Sequence, residues 1–339
     1  MRKSEGRRLY IQEVSVRDGF QIEPKFVPTE QKVELINGLS RTGLVKIEVT
    51  SFTSPKAIPA LADAEAVMSR IDRVPGVEYA ALVPNLRGAE RALGCAVDEL
   101  NLVMSASETH NLANLRMTPA QSLAQFADVV RVVAGRAHIN ASLSTAFGCP
   151  FEGDVSGAAV IALVGRFVDL GIDRVTLCDT TGMANPAQVE RLCGEVRTRW
   201  PALTLTAHFH DTRAMGLANA LAALEAGVDR FDASLGGLGG CPFAPGASGN
   251  VCTEDLVHMF QAMGYDTGVD LEALLALARR MPSIVEHEVP GQVMRAGPSS
   301  RRYPAPEGLR SRDARQRQPG AAVPCGPGFL DNEPEGNEP

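Results

Sequence analysis

Short apolar segments alternate with longer segments of helical periodicity along most of the chain. Several of the short segments are almost continuously hydrophobic, which is typical of parallel strands buried on both faces. The pattern predicts eight strands, at residues 9–14, 45–50, 77–83, 99–104, 137–143, 174–178, 203–209 and 230–233.

The segments between these strands carry apolar residues at helical spacing. They often begin at a proline or polar residue and usually end at a glycine, as helices do. Helices are predicted between the strands at residues 29–43, 119–135, 155–171, 186–199 and 214–227. Two more are predicted after the last strand, at residues 253–263 and 271–281.

Eight strands that alternate with helices over about 230 residues predict an α/β fold of the (β/α)8 (TIM) barrel type. The competing architecture is a doubly wound open sheet. That fold would need a glycine-rich phosphate-binding turn after the first strand, and residues 15–21 read Ser-Val-Arg-Asp-Gly-Phe-Gln instead. We therefore predict a barrel with additional C-terminal helices and a disordered tail.

The composition of the chain changes near residue 288. Residues 9–287 form the predicted catalytic barrel, whereas residues 288–339 are rich in proline, glycine and arginine and end in an acidic run. Such a segment buries too little apolar surface to offset its ordering entropy, so we expect it to be mostly disordered. Its arginines could in principle contact nucleic acid, but only Tyr303 lies among them, which favours a solvated tail.

Composition excludes several classes of protein. The 339 residues carry a net charge of −7, which argues against a nucleic-acid partner. No apolar run approaches the roughly 18 residues that span a bilayer, and the polar residues 1–8 do not resemble a secretory signal. The seven cysteines show no CxxC spacing, which fits reduced thiols in the cytoplasm.

Charged residues cluster at the carboxyl ends of the predicted strands, where barrels of this type hold their active sites. They follow or end strands one, two, six and seven, and comprise Arg17, Asp18, Glu48, Asp179, His208 and His210.

His208 and His210 are separated by two positions on one strand, so both side chains project to the same face. Two imidazoles together with Asp18, which comes from the neighbouring part of the barrel, predict a divalent-metal site. The alternative is that one histidine is a hydrogen-bonded core residue and the other is exposed.

A glycine- and proline-rich segment, residues 236–250, is suited to a mobile lid. Cys241 within it is a candidate acid, base or nucleophile, although a plain surface thiol is equally compatible with the pattern. Asn250 at its end could cap the following helix or bind a hard cation through its amide oxygen.

Six motifs together closely resemble the 3-hydroxy-3-methylglutaryl-CoA lyase family. They lie at residues 16–21, 48–56, 148–153, 179–182, 208–212 and 237–250, and the resemblance covers about residues 9–297. It implies a metal-dependent lyase of the lyase and Claisen-synthase barrel superfamily. The implied reaction is cleavage of 3-hydroxy-3-methylglutaryl-CoA to acetyl-CoA and acetoacetate, a step of leucine degradation.

The resemblance also implies roles for single residues. Mg2+ or Mn2+ would be held by Asp18, His208, His210 and Asn250. Arg17 would stabilise the developing enolate oxygen, and Cys241 would transfer a proton, with Glu48, Asp179 and His208 as further catalytic groups. The partners implied are an acyl-CoA thioester and a second copy of the chain, in a homodimer or higher homo-oligomer.

The chain departs from the family pattern at two places. Phe20 and Ile22 replace the Leu and Asn that are common there, and residues 181–183 (Thr-Gly-Met) stand where Ile-Gly-Val is frequent. These positions lie near the substrate mouth, so the acyl group stays open between 3-hydroxy-3-methylglutaryl-CoA and a relative such as citramalyl-CoA or a branched isoprenoid glutaryl-CoA.

Two further alternatives have an activity other than acyl-CoA cleavage. A Claisen-type synthase such as isopropylmalate synthase shares the Arg-Asp and His-x-His features, but such enzymes lack the Gly-Gly-Cys-Pro segment and usually carry a long regulatory domain. A non-catalytic metal- or CoA-binding barrel would have no need of Arg17, Asp18, His208, His210 and Cys241 together.

Overall fold

The structure, a computed structural model, describes residues 6–240 and 249–304. Eight parallel strands form a closed barrel in which neighbours in sequence are neighbours in space. This confirms the predicted TIM barrel. The strands are Tyr10–Glu13 (β1), Lys46–Ser51 (β2), Glu78–Leu82 (β3), Glu99–Ser105 (β4), His138–Ser144 (β5), Arg174–Asp179 (β6), Thr204–Phe209 (β7) and Arg230–Ala233 (β8).

Helices surround the barrel and continue after it. They are Thr29–Leu39 (α1), Ala64–Arg70 (α2), Leu86–Gly94 (α3), Glu108–Leu115 (α4), Pro119–Val133 (α5), Gly157–Asp169 (α6), Pro186–Arg199 (α7), Gly216–Glu225 (α8), Thr253–Ala262 (α9), Leu271–Ala278 (α10), Met281–Val285 (α11) and Val293–Ala296 (α12). None of the helices in the described ranges is long and apolar enough to cross a bilayer.

Two features of the helices differ from the predictions. Helices α2, α3 and α4 lie in segments for which no helix was predicted. The predicted helix at 271–281 ends at Ala278, and α11 begins at Met281 with Pro282 in its first turn. Proline fits the first turn of a helix but not the interior, so the chain restarts there.

Helix α6 shows how the outer ring packs on the barrel. Val160, Ile161, Val164 and Phe167 recur at helical spacing and are all buried. Full burial of such a side chain contributes about 1.5–3 kcal/mol. The amphipathic spacing therefore holds the helix against the sheet.

The inside of the barrel contains a layer of polar side chains. Asn140 Nδ2 donates to Asn101 Oδ1 and to Thr176 Oγ1, each at 3.0 Å, and Ser142 Oγ donates to Asn101 Oδ1 at 2.7 Å. Buried polar groups are stable when their hydrogen bonds are made. This layer forms the floor beneath the carboxyl ends of the strands.

The described residues up to Pro298 belong to one compact unit, and residues 299–304 belong to a second unit. Helix α12 belongs to the first unit. The Asp255 carboxylate on α9 accepts backbone hydrogen bonds from Gln292 and Val293, at 3.0 and 2.7 Å, and Met294 is buried. The residues from 305 onward lie outside the described ranges.

Candidate active site

A π-helical turn, Ser15–Gly19, follows β1 at the carboxyl end of the barrel. The backbone amides of Asp18 and Gly19 both donate to the Val14 carbonyl, at 2.7 and 3.4 Å. Such wide turns are frequent at functional sites. This one brings Arg17 and Asp18, both buried, to the barrel mouth.

Arg17 is held between two carboxylates. Its Nε donates to Glu48 Oε2 and its Nη1 to Asp18 Oδ1, each at 2.6 Å. Burial alone would lower the pKa of Arg17, but the charges of Glu48 and Asp18 raise it, so the guanidinium stays charged. Glu48 is itself oriented by Asn101, whose Nδ2 donates to Glu48 Oε1 at 2.8 Å.

The seventh strand supplies the two histidines. His208 lies on β7, His210 follows it, and their ring centroids are 5.3 Å apart. Asp18, His208 and His210 each offer one ligand atom, and these atoms all lie within 4.8 Å of one another. The structure therefore brings together the three groups that the sequence placed in one site.

Asn250 reaches the same place through backbone pairing. It forms an isolated antiparallel bridge with His210, and its side-chain Nδ2 donates to Asp18 Oδ2 at 2.7 Å and to the Leu238 carbonyl at 2.9 Å. Its Oδ1 is buried without a hydrogen-bond partner among the described residues. A buried oxygen in this condition is costly unless something else binds it.

Neighbouring charges and burial act in opposite directions on the pKa values of Asp18 and His208. Burial would raise the pKa of Asp18, but the charges of Arg17, His208 and His210 lower it to about 2, so the carboxylate is ionised. Burial would likewise lower the pKa of His208, but the Asp232 carboxylate and the charge of Asp18 raise it.

These residues fit a divalent cation. One carboxylate, two imidazoles and one unpartnered amide oxygen are the donor types that Mn2+ and similar ions accept. Gly239 keeps space beside them. It has φ of 98°, and a Cβ there would lie 2.6 Å from Asn250 Nδ2 and 3.1 Å from Asp18 Oδ2.

Asp179 ends β6 and is anchored through one oxygen. Its Oδ1 accepts backbone hydrogen bonds from Met183 and Ala184, at 2.7 and 3.1 Å, whereas its buried Oδ2 has no partner within the described ranges. Burial is the main cause that raises the pKa of Asp179 to about 6. A carboxyl with this pKa can exchange a proton near neutral pH.

Cys241 lies outside the described residues, as does the rest of the segment from 241 to 248. The described residues before it include Gly236 and Gly237, both with positive φ. The role predicted for Cys241 therefore stays a prediction.

The sequence did not single out two acids near the site, the buried Glu13 and the mostly buried Asp232. Asp232 on β8 contacts His208, and Glu13 at the end of β1 accepts hydrogen bonds from the amides of Ser15 and Leu235 and from the Thr253 hydroxyl. A signal existed for both, because each is a lone carboxylate within a predicted buried strand, where charges are rarely left without partners.

The chain is similar to known proteins over most of its length. The HMGL-like family matches residues 8–281. A hydroxymethylglutaryl-CoA lyase of Bacillus subtilis is 47% identical over 296 residues, which cover 87% of this chain and 99% of the relative. An (R)-citramalyl-CoA lyase of Chloroflexus aurantiacus is 40% identical, over 85% of this chain and 94% of the relative.

A solved structure is similar as well. It is an HMG-CoA lyase of Acinetobacter baumannii in complex with coenzyme A and 3-methylmalate, with 54% identity and a TM-score of 0.85. The likeness covers 88% of this chain and 98% of that one. From the family match and these identities, the chain belongs to the HMGL-like family.

Proposed function

We propose that the protein is a divalent-metal-dependent lyase that cleaves 3-hydroxy-3-methylglutaryl-CoA to acetyl-CoA and acetoacetate, a step of leucine degradation in the cytoplasm. The observation that carries the proposal is the arrangement of Arg17 beside the Asp18, His208 and His210 cluster. The similarity to the HMG-CoA lyases of Bacillus subtilis and Acinetobacter baumannii described above also supports the proposal.

The ion, Mg2+ or Mn2+, would be held by Asp18, His208, His210 and Asn250. When bound, it would lower the pKa of the substrate's tertiary hydroxyl and fix the orientation of the oxygens that it contacts. The unpartnered Asn250 Oδ1 supports this assignment.

Arg17 is placed to stabilise the thioester enolate that leaves. Its Nε and Nη1 are occupied by Glu48 and Asp18, whereas Nη2 makes no hydrogen bond to a described residue. A fixed, permanently charged donor aimed at developing negative charge requires little reorganisation during the reaction. Arg17 Nη2 would thus donate a hydrogen bond to the enolate oxygen.

Two groups are proposed to move protons. Asp179, with an unpartnered Oδ2 and a raised pKa, would accept the proton of the substrate hydroxyl. Cys241, which lies outside the described residues, would protonate the enolate carbon.

A second substrate is supported by one specific observation. The citramalyl-CoA lyase relative is 40% identical over nearly its whole length. In this chain Phe20 and Ile22 directly follow the π-helical turn Ser15–Gly19. Citramalyl-CoA and 3-hydroxy-3-methylglutaryl-CoA differ in the length of the acyl chain, so side chains at the mouth of the site would decide between them.

A steady-state comparison tests the proposal. The purified protein would be given 3-hydroxy-3-methylglutaryl-CoA or citramalyl-CoA, with Mg2+ or Mn2+, and acetyl-CoA would be measured. We expect the higher kcat/KM with 3-hydroxy-3-methylglutaryl-CoA. A preference for citramalyl-CoA would assign the second substrate, and no acetyl-CoA from either would reject the proposed lyase.

A further inference from the structure

Asp232 is a carboxylate beside the candidate metal site to which no role has been given above. It lies in the middle of β8, where Phe231 and Ala233 on either side of it are buried in the core. Strands β7 and β8 pair so that His208 stands opposite Asp232. Paired residues of adjacent strands point to the same face of the sheet, so both side chains project into the barrel.

The two side chains are hydrogen-bonded. His208 Nδ1 lies 3.2 Å from Asp232 Oδ2, and both side chains are mostly buried, with exposed fractions of 9% and 12%. We take the Asp232 carboxylate as the acceptor of this hydrogen bond, since carboxylates are acceptors, and this places the proton on Nδ1. That arrangement leaves Nε2 as the nitrogen with a lone pair for an ion.

Two cations, Arg17 and Lys46, lie within electrostatic reach of Asp232 in the barrel interior. Lys46 is in turn paired with Glu99 through a 2.6 Å contact. The register of β8 on β7 and the contact with Nδ1 direct the Asp232 carboxylate at the His208 ring.

We propose that Asp232 is a positioning residue for the metal site: it fixes the tautomer and the ring orientation of His208. The inference rests on the proposed function, since it takes His208 as a ligand. Carboxylates in this position generally raise the basicity of the ligand, and their loss typically costs 10–100-fold in metal affinity.

The test is Mn2+ binding by Asp232→Asn, measured by the EPR signal of free Mn2+ with metal-stripped protein. The amide is nearly isosteric, but its NH2 group can donate to Nδ1 and so favour the wrong tautomer. We expect Mn2+ affinity to fall about 10–100-fold, with the thermal unfolding midpoint of the metal-free protein little changed.

Glu78→Gln is the matched control. Glu78 lies on β3 at the other end of the barrel and pairs with Arg174, so its loss removes an equal charge without touching His208. We expect this variant to bind Mn2+ within threefold of the unmodified protein.

Nitrogen-15 NMR of the unmodified, histidine-labelled protein in Mg2+ supplies a second readout. This readout does not require Asp232→Asn to fold. His208, assigned by comparison with His208→Gln, should show the Nδ1–H tautomer in the unmodified chain. An Nε2–H tautomer, or an Asp232→Asn protein that binds Mn2+ within threefold of the unmodified chain, would overturn the inference and leave the metal site intact. Failure of the unmodified protein to bind Mn2+ would overturn the metal site and this inference with it.

Discussion

Arg17 Nε donates a 2.6 Å hydrogen bond to Glu48 Oε2, and the two side chains are only 9% and 5% exposed. The pair joins the turn after β1 to strand β2. Asn101 Nδ2 donates a further hydrogen bond to Glu48 Oε1. A buried guanidinium fixed in this way has one orientation before substrate arrives. Its contribution to catalysis should therefore depend on its planar shape as well as on its charge.

Arg17→Lys tests this dependence on shape. Lysine keeps the charge but cannot hold Glu48 and Asp18 while it presents a third nitrogen. We expect kcat to fall about 10^2–10^3-fold, the usual loss when a donor to an oxyanion is removed, with little change in KM. Steady-state kinetics on Arg131→Lys, an exposed position on α5, gives the control. A change confined to KM would make Arg17 a residue of substrate binding instead.

Cys241→Ser tests the proposed proton donor. An ordinary cysteine has a pKa of about 8.5, so the thiol is mostly protonated at neutral pH and can donate. We expect unchanged Mn2+ and substrate binding and a loss of about 10^2–10^4-fold in kcat, the range typical of general acid–base groups.

Two observations complete the Cys241 experiment. Cys95→Ser, at a partly exposed position outside the site, should retain full activity. Alkylation of the unmodified protein should inactivate it, and substrate should slow the inactivation. Full activity of Cys241→Ser would shift the donor role to another group, with Asp179 and His208 as the candidates.

Glu254 should make stability depend on pH. It is fully buried on α9, and burial raises its pKa to about 8, with smaller contributions from Asp255 and Glu13. The folded state therefore holds a proton that the unfolded chain, with an ordinary pKa near 4.5, releases. Its contribution to stability is complete below about pH 4.5 and is lost as the pH rises through about 8.

Glu254→Gln mimics the protonated acid and should remove this dependence. Thermal unfolding would be followed by circular dichroism from pH 5 to 9. As the pH rises, the unfolding midpoint of the variant should increase relative to that of the unmodified protein. Glu190→Gln, an exposed position on α7, is the control. Parallel pH profiles for Glu254→Gln and the unmodified protein would contradict the assignment of a buried, protonated Glu254.

The strands could be predicted well because buried parallel strands are continuously apolar. Strand β8 has the predicted bounds, and the other strands deviate by only one or two residues. Helices α2, α3 and α4 escaped prediction for local reasons. Helix α2 has only seven residues, and α3 contains Gly88 and ends at Gly94. Glycine and short length both weaken the helical signal.

The membership of the site could be predicted, but not its internal contacts. Side chains at strand ends converge in any barrel, which is why the sequence could predict that Asp18, His208 and His210 lie close together. The hydrogen bond from Asn250 to Asp18 joins residues 232 positions apart and depends on the bridge between Asn250 and His210. Asp232 was missed for a similar reason, since its role comes from the register of β8 on β7.

Mn2+ titration into metal-stripped protein, with bound Mn2+ and acetoacetate measured in the same samples, tests the central claim most directly. For the unmodified chain we predict one Mn2+ per chain and product formation that rises in proportion to occupancy. His210→Ala should lose both, whereas His138→Ala, at an exposed position on β5, should lose neither. Undiminished Mn2+ binding by His210→Ala, or full product formation in the presence of chelator, would contradict a metal-dependent lyase site at Asp18, His208 and His210.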